Sequence, residues 1–162
     1  MKMSRRKIRE TIFLMLFRLE FNTKEELLEQ LDWYFTQQPD SGEPEDDTSK
    51  AKKQKTNNAD GDEYLPLNDI SEEDETYIRT KLEKILDHIE DLDQTIVSIC
   101  EGWNLSRLGK AEFAILRLAT YEIQYDDDIP TGVAINEAVE LAKTYCSKEA
   151  PRFINGVLAK LA

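Results

Sequence analysis

Residues 111–125, AEFAILRLATYEIQY, place apolar side chains on almost every side of a helical wheel. Only Glu112, Arg117, Thr120, Glu122 and Gln124 interrupt them, and Arg117, Thr120 and Gln124 fall in one narrow stripe at helical spacing. A helix that is apolar nearly all round must be packed by several neighbours at once. The segment is therefore expected to be the hub of an all-α domain. Its polar stripe marks the one direction facing solvent or a partner.

The flanking sequence supplies those neighbours. Ser4 is placed to cap a helix over residues 4–21, with Ile8, Ile12, Met15, Leu16 and Leu19 recurring at three- and four-residue steps and Phe13 and Phe17 widening the face. Thr23 and Glu26 form a capping box that opens a second helix through Leu27, Leu28, Leu31, Tyr34 and Phe35. Residues 38–68 then read as a flexible charged insert, acidic at Glu43–Asp47 and basic at Lys50–Lys55. Ser71 with Asp74 is a further cap, followed by helical period from Ile78 to Cys100. This reads as one long helix with a break expected around Asp91–Gln94.

A short helical piece is expected at Leu105–Leu108, and Gly109 turns the chain into the hub. Residues 133–145 form the next helix, with Ile135, Ala138, Val139, Ala142, Tyr145 and Cys146 on its core face. Pro151 stands at the favoured first position of the last helix, where Ile154, Val157, Leu158 and Leu161 face inward. Gly156, inside that helix, suggests close approach of another backbone. No period-2 alternation survives, so the fold is all-α, one domain over residues 1–162.

Charge narrows the function. Asp and Glu number 33 against 21 Lys and Arg, for a net charge of −12. Such a field repels nucleic acid and anionic membranes unless a local basic patch intervenes. One exists: Arg5, Arg6, Lys7 and Arg9 crowd the first turns of helix one, where the macrodipole disfavours cations. Charges held where the helix does not want them read either as a solvated end or as an anion-binding patch. A second candidate is the connector Lys148, Glu149 and Arg152, with Asn155 one turn on. Tyr145 and Phe153 offer aromatic faces there, as core residues or as a stacking surface.

Enzymatic chemistry finds no support. His88 is the single histidine and is read as solvent-facing, and with Cys100 and Cys146 it makes no zinc set. Gly102 and Gly109-Lys110 lack phosphate-loop spacing. No catalytic residue, metal or cofactor is expected. The two widely separated cysteines and the absence of a signal or a membrane-length apolar run fit a reduced cytoplasmic protein.

Three stretches, ILRLATYE (115–122), IPTGVAINEAVELAK (129–143) and PRFINGVLAKL (151–161), together with RRKIRE (5–10), resemble the NusB family of bacterial transcription antitermination factors. The resemblance implies two small antiparallel helical bundles sharing one core and a non-enzymatic role. It implies binding of boxA-type single-stranded RNA together with the ribosomal protein NusE, helping RNA polymerase and other Nus factors read through rRNA operons. Carried onto this chain, RNA contacts fall on Arg5, Arg6, Lys7 and Arg9, and near Lys148, Glu149 and Arg152. The NusE contact falls on Phe17 and Glu112, and many relatives have Tyr at the position of Phe17; Arg117 joins this set from the residues alone, since Glu112 with Arg117 combines charge with a helix end and a polar stripe. The rivals are a helical module serving an rRNA methyltransferase and a homodimer that hides the RNA surface.

Overall fold

The computed structural model describes residues 3–36, 70–103 and 108–162. The charged insert expected at 38–68 lies outside these, as do residues 105–107 of the expected short helical piece; Leu108 is described and is not helical. Helix α1 (Arg5–Arg18) starts at Ser4, whose hydroxyl accepts from the Lys7 amide at 3.0 Å. It buries Ile8, Ile12, Phe13, Met15 and Leu16. At the entry to α2 (Lys24–Thr36), the Thr23 amide donates to Glu26 at 2.9 Å, and the Glu26 amide donates to the Thr23 hydroxyl at 3.1 Å. Both orphan donors are thereby satisfied, as the sequence motif requires. Leu27, Leu31 and Phe35 are buried on α2, and the Tyr34 side chain lies outside the description.

Helix α3 (Glu72–Asp87) is capped by Ser71 and carries four acidic residues in its first turn, the placement its dipole favours. The helical run then breaks at His88, earlier than the expected Asp91–Gln94, and resumes as α4 (Ile89–Ile99). The reason lies in the ring: His88 Nδ1 sits 2.7 Å from the Lys84 carbonyl, crowding the acceptor that the His88 amide also uses at 3.2 Å. The same ring lies tilted against Tyr125, 4.3 Å between centroids, which holds the bend against the hub.

That hub is α5 (Lys110–Tyr125). Helices α6 (Thr131–Tyr145) and α7 (Ala150–Leu158) follow, with a terminal 3-10 turn at Ala159–Leu161. Helices α1, α2 and α3 pack on one another as one small bundle, and α4, α6 and α7 surround α5 as the second. Because α5 also touches α1 and α3, the two antiparallel bundles share a single core. Its α5 members are Ala114, Ile115, Leu116, Leu118, Ala119 and Tyr121. Ala134 and Leu141 join the core from α6, beyond the face read from the sequence. Among the described residues no helix is long and apolar enough to cross a membrane, and no group of His, Cys, Asp and Glu is arranged to hold a metal ion.

Two expectations are corrected. The stripe on α5 does not point uniformly outward: Thr120 is fully buried, and its hydroxyl has no hydrogen-bond partner among the described residues. Arg117 is largely covered, and only Gln124 is exposed. Nor, among the described residues, does any backbone crowd Gly156: it is exposed, and of them a Cβ there would meet only the Trp103 ring edge at an ordinary 3.6 Å. Gly156→Ala is therefore expected to stabilise the protein by about 0.5–1 kcal/mol, through the helix propensity that glycine forfeits. Urea denaturation measures this directly, as a raised midpoint at unchanged slope.

Candidate nucleic-acid interface

The start of α1 meets two other places in the chain, the N-terminal turn of α3 and the α5–α6 turn at Asp126–Pro130, and its cations divide into two kinds. Arg5 is exposed and has no carboxylate partner among the described residues. The Arg6 side chain is 68% exposed and lies alongside Glu137 of α6, with Nε and one terminal nitrogen donating to the two carboxylate oxygens at 3.1 and 2.8 Å. That bidentate pair, more by its hydrogen bonds than by bare attraction, holds the Glu137 carboxyl below its ordinary range. Lys7 pairs within its own helix with Glu10 at 2.8 Å, and Tyr145 donates its hydroxyl to the same carboxylate.

Arg9 points the other way. Only 11% of its side chain is exposed, and its Nε donates to both oxygens of Glu122 at 3.1 and 3.2 Å, with Glu137 3.7 Å from another of its nitrogens. Glu122, on α5, is 1% exposed and also receives Lys81 of α3 at 2.7 Å. Lys81 is buried too and reaches Asp126 at 3.4 Å and the Tyr77 hydroxyl at 3.3 Å. Burial is the largest influence on Lys81 and opposes its charge, but Glu122 and Tyr77 together outweigh it and hold the ammonium charged beyond its usual range. The result is a buried chain of alternating charge, Arg9–Glu122–Lys81–Asp126, that ties α1, α3 and α5 beneath the exposed cations. A separate tie fixes the approach: the Met3 amide donates at 2.8 Å to Asp74, itself buried at the start of α3.

The sequence reading named Arg9 as part of the basic set but missed Glu122, Lys81 and Glu137. A signal was present. On a helix apolar all round, a glutamate flanked by Tyr121 and Ile123 has no solvent to face, so it must find cations inside.

The second expected set sits at the α6–α7 connector, where Lys148, Glu149, Arg152 and Asn155 are all exposed. Glu149 and Arg152 border a cavity of about 690 Å³ together with Ser147, Glu112 and the Trp103–Phe153 pair, whose rings meet edge to face at 4.9 Å. Phe13 and Tyr145, 4.9 Å apart, join the middle of α1 to the end of α6 beside this connector. Burial and then the Glu112 carboxylate push the neighbouring Cys146 thiol up to about 12, so it stays protonated and unreactive at neutral pH.

The expected partner set lies near the start of α5. Phe17 is half-buried and packs edge-on against Phe21 at 5.5 Å. Phe21, not singled out from the sequence, is 62% exposed with the Lys110 ammonium over its ring. The carboxylate of Glu112 folds back over Gly109. Arg117 is committed to Asp93 through two bonds of 2.8 Å and to Glu20 at 3.1 Å, stacked over Phe113.

Comparisons with known proteins bear on the family and the fold. The family model described as the NusB family matches residues 40–162, so the basic tip lies ahead of the matched region. The chain is 42% identical to a transcription antitermination protein NusB of Agathobacter rectalis, covering 99% of this chain and all of the relative. It is 38% identical to the protein so named in Lachnoclostridium phytofermentans, covering 98% of each. Among solved structures, T. maritima NusB superposes with a TM-score of 0.69 at 28% identity, covering all of this chain and 92% of that one.

Proposed function

The chain belongs to the NusB family of transcription antitermination factors, a non-enzymatic kind of protein, and from that premise we propose that it binds boxA-type single-stranded RNA together with the ribosomal protein NusE. The observation that carries the reading is the exposed pair Arg5 and Arg6 on a tip braced from below, in a chain of net charge −12. Misplaced cations that were merely solvated would need no such brace.

In this reading Arg5, Arg6 and Lys7 meet phosphates, and Arg9 serves the same face by holding it in place. Lys148 and Arg152 extend the track along α6 to the connector, where Glu149 and Asn155 offer hydrogen bonds to base edges. Phe17, with Phe21 beside it, and Glu112 form the face that receives NusE, and Arg117 keeps that face in shape. Other Nus factors and RNA polymerase are engaged through the complex, in the cytoplasm, at rRNA operons.

About three phosphate contacts at the tip, or about five with the connector, give a salt slope of only about −2 to −3.5 for the protein alone. A basic partner adds contacts and steepens it. RNA affinity is therefore expected to rise about tenfold or more with NusE at moderate salt. Titrating labelled boxA-type RNA with and without NusE tests this, and equal affinity in both arms would overturn it.

A further inference from the structure

The α1 tip is flanked by two grooves that share Arg5, Arg9, Asp128 and Ile129 as a common wall. On the α6 side a space of about 290 Å³ is bordered by Arg6, Pro130, Val133 and Glu137. On the α3 side a larger one, about 520 Å³, has Tyr77 and Lys81 on its lining. We propose that the α3-side groove seats one unpaired, amino-bearing nucleobase of the RNA strand held at the tip, with Tyr77 as its stacking platform and Asp128 as the acceptor for its exocyclic amine. This rests on the RNA-binding reading above and adds a subsite and a base preference to it.

Several features converge on that occupant. Tyr77 is 43% exposed at the rim of the charged cluster, so its ring is open to a ligand. Its ring is not loose: Lys81, itself anchored on Glu122, lies 5.5 Å from the ring centroid and donates to the phenol oxygen at 3.3 Å. The platform is thus held before any ligand arrives, which lowers the cost of binding. Sequence-tolerant stacking of this kind is how single strands are gripped.

The polar groups supply direction. Of the cations on the lining, Arg9 and Lys81 are committed to Glu122, which leaves Arg5 for the phosphate. Asp74 is occupied by the Met3 amide. The Asp128 amide turns back to Asp126 at 3.1 Å, while the exposed Asp128 carboxylate has no partner among the described residues. A carboxylate accepts from the amine of cytosine, and it repels the carbonyl that uracil presents at the same place.

The test uses the full chain, saturating NusE and a fluorescein-labelled boxA-type RNA followed by anisotropy. Tyr77→Ala is expected to weaken binding about five- to hundredfold, equally at low and high salt, while Tyr77→Phe stays within about twofold. In the unaltered protein, 5-iodocytidine placed at successive positions should photocrosslink to Tyr77 from one position. At that position cytosine should be preferred over uracil by about threefold or more, and Asp128→Asn should erase the preference. Unchanged affinity for Tyr77→Ala with crosslinks confined to other residues overturns the subsite. A preference that survives Asp128→Asn overturns the amine assignment. Failure of the unaltered protein to bind RNA at all would instead remove the RNA-binding reading, and the subsite with it.

Discussion

Replacing Glu122 by alanine is expected to cost the protein about 3–5 kcal/mol of folding stability, because it strands two buried cations. Arg9 and Lys81 both donate to this carboxylate, and both are largely withdrawn from water, with 11% and 6% of their side chains exposed. Asp126 at 3.4 Å and Glu137 at 3.7 Å are too distant to replace it fully. The loss is chiefly the penalty of unpaired charge, and a second experiment isolates that. Converting Arg9, Lys81 and Glu122 together to apolar residues of similar volume should restore most of the stability, since the buried network is worth little more than good packing. Urea unfolding of the two variants measures both arms. Equal loss in the single and triple variants would mean that shape, not charge, is what Glu122 supplies.

Neutralising the tip while leaving the brace intact should have the opposite profile. Arg5→Ala, Arg6→Ala and Lys7→Ala combined is expected to lower RNA affinity about a hundredfold at 50 mM salt and far less near 1 M, with the salt slope reduced by about 2. Folding should be unaffected or slightly improved. Arg5 has no ion pair to lose among the described residues, surface pairs contribute little, and the first turn of a helix is better without cations. Circular dichroism melts alongside fluorescence anisotropy separate the two quantities. A triple variant that binds RNA as tightly as the unaltered chain would sink the tip as a landing surface. Arg9→Ala is not an equivalent control, since it would lose both affinity and stability by breaking the buried pair.

The contrast between those two experiments shows what was legible in the sequence. Helices α1, α2, α5, α6 and α7 followed from apolar spacing, and three of the caps (Ser4, Thr23 with Glu26, and Ser71) followed from hydroxyl positions. These are local signals, set within one or two turns of chain. The break at His88 was misplaced because its cause, an imidazole on the Lys84 carbonyl held by Tyr125, involves a residue from another helix. The basic tip was visible as composition, but its division into outward Arg5 and Arg6 and inward Arg9 was not. Which way an arginine turns depends on where the carboxylates are, and Glu122 and Glu137 reach Arg9 and Arg6 only through tertiary packing. Periodicity also treats every charge as surface, which is why Lys81 passed unnoticed among the polar positions of α3.

The Arg9–Glu122 pair spans 113 positions of the chain. At ordinary translation speeds of about 5–20 residues per second, roughly 6–23 s separate the synthesis of its two halves. For that interval Arg9 is without the carboxylate that turns it inward. On the RNA-binding reading, selectivity is consequently a late acquisition in the life of each molecule, because the inward pair that braces the tip closes only once α5 has been made.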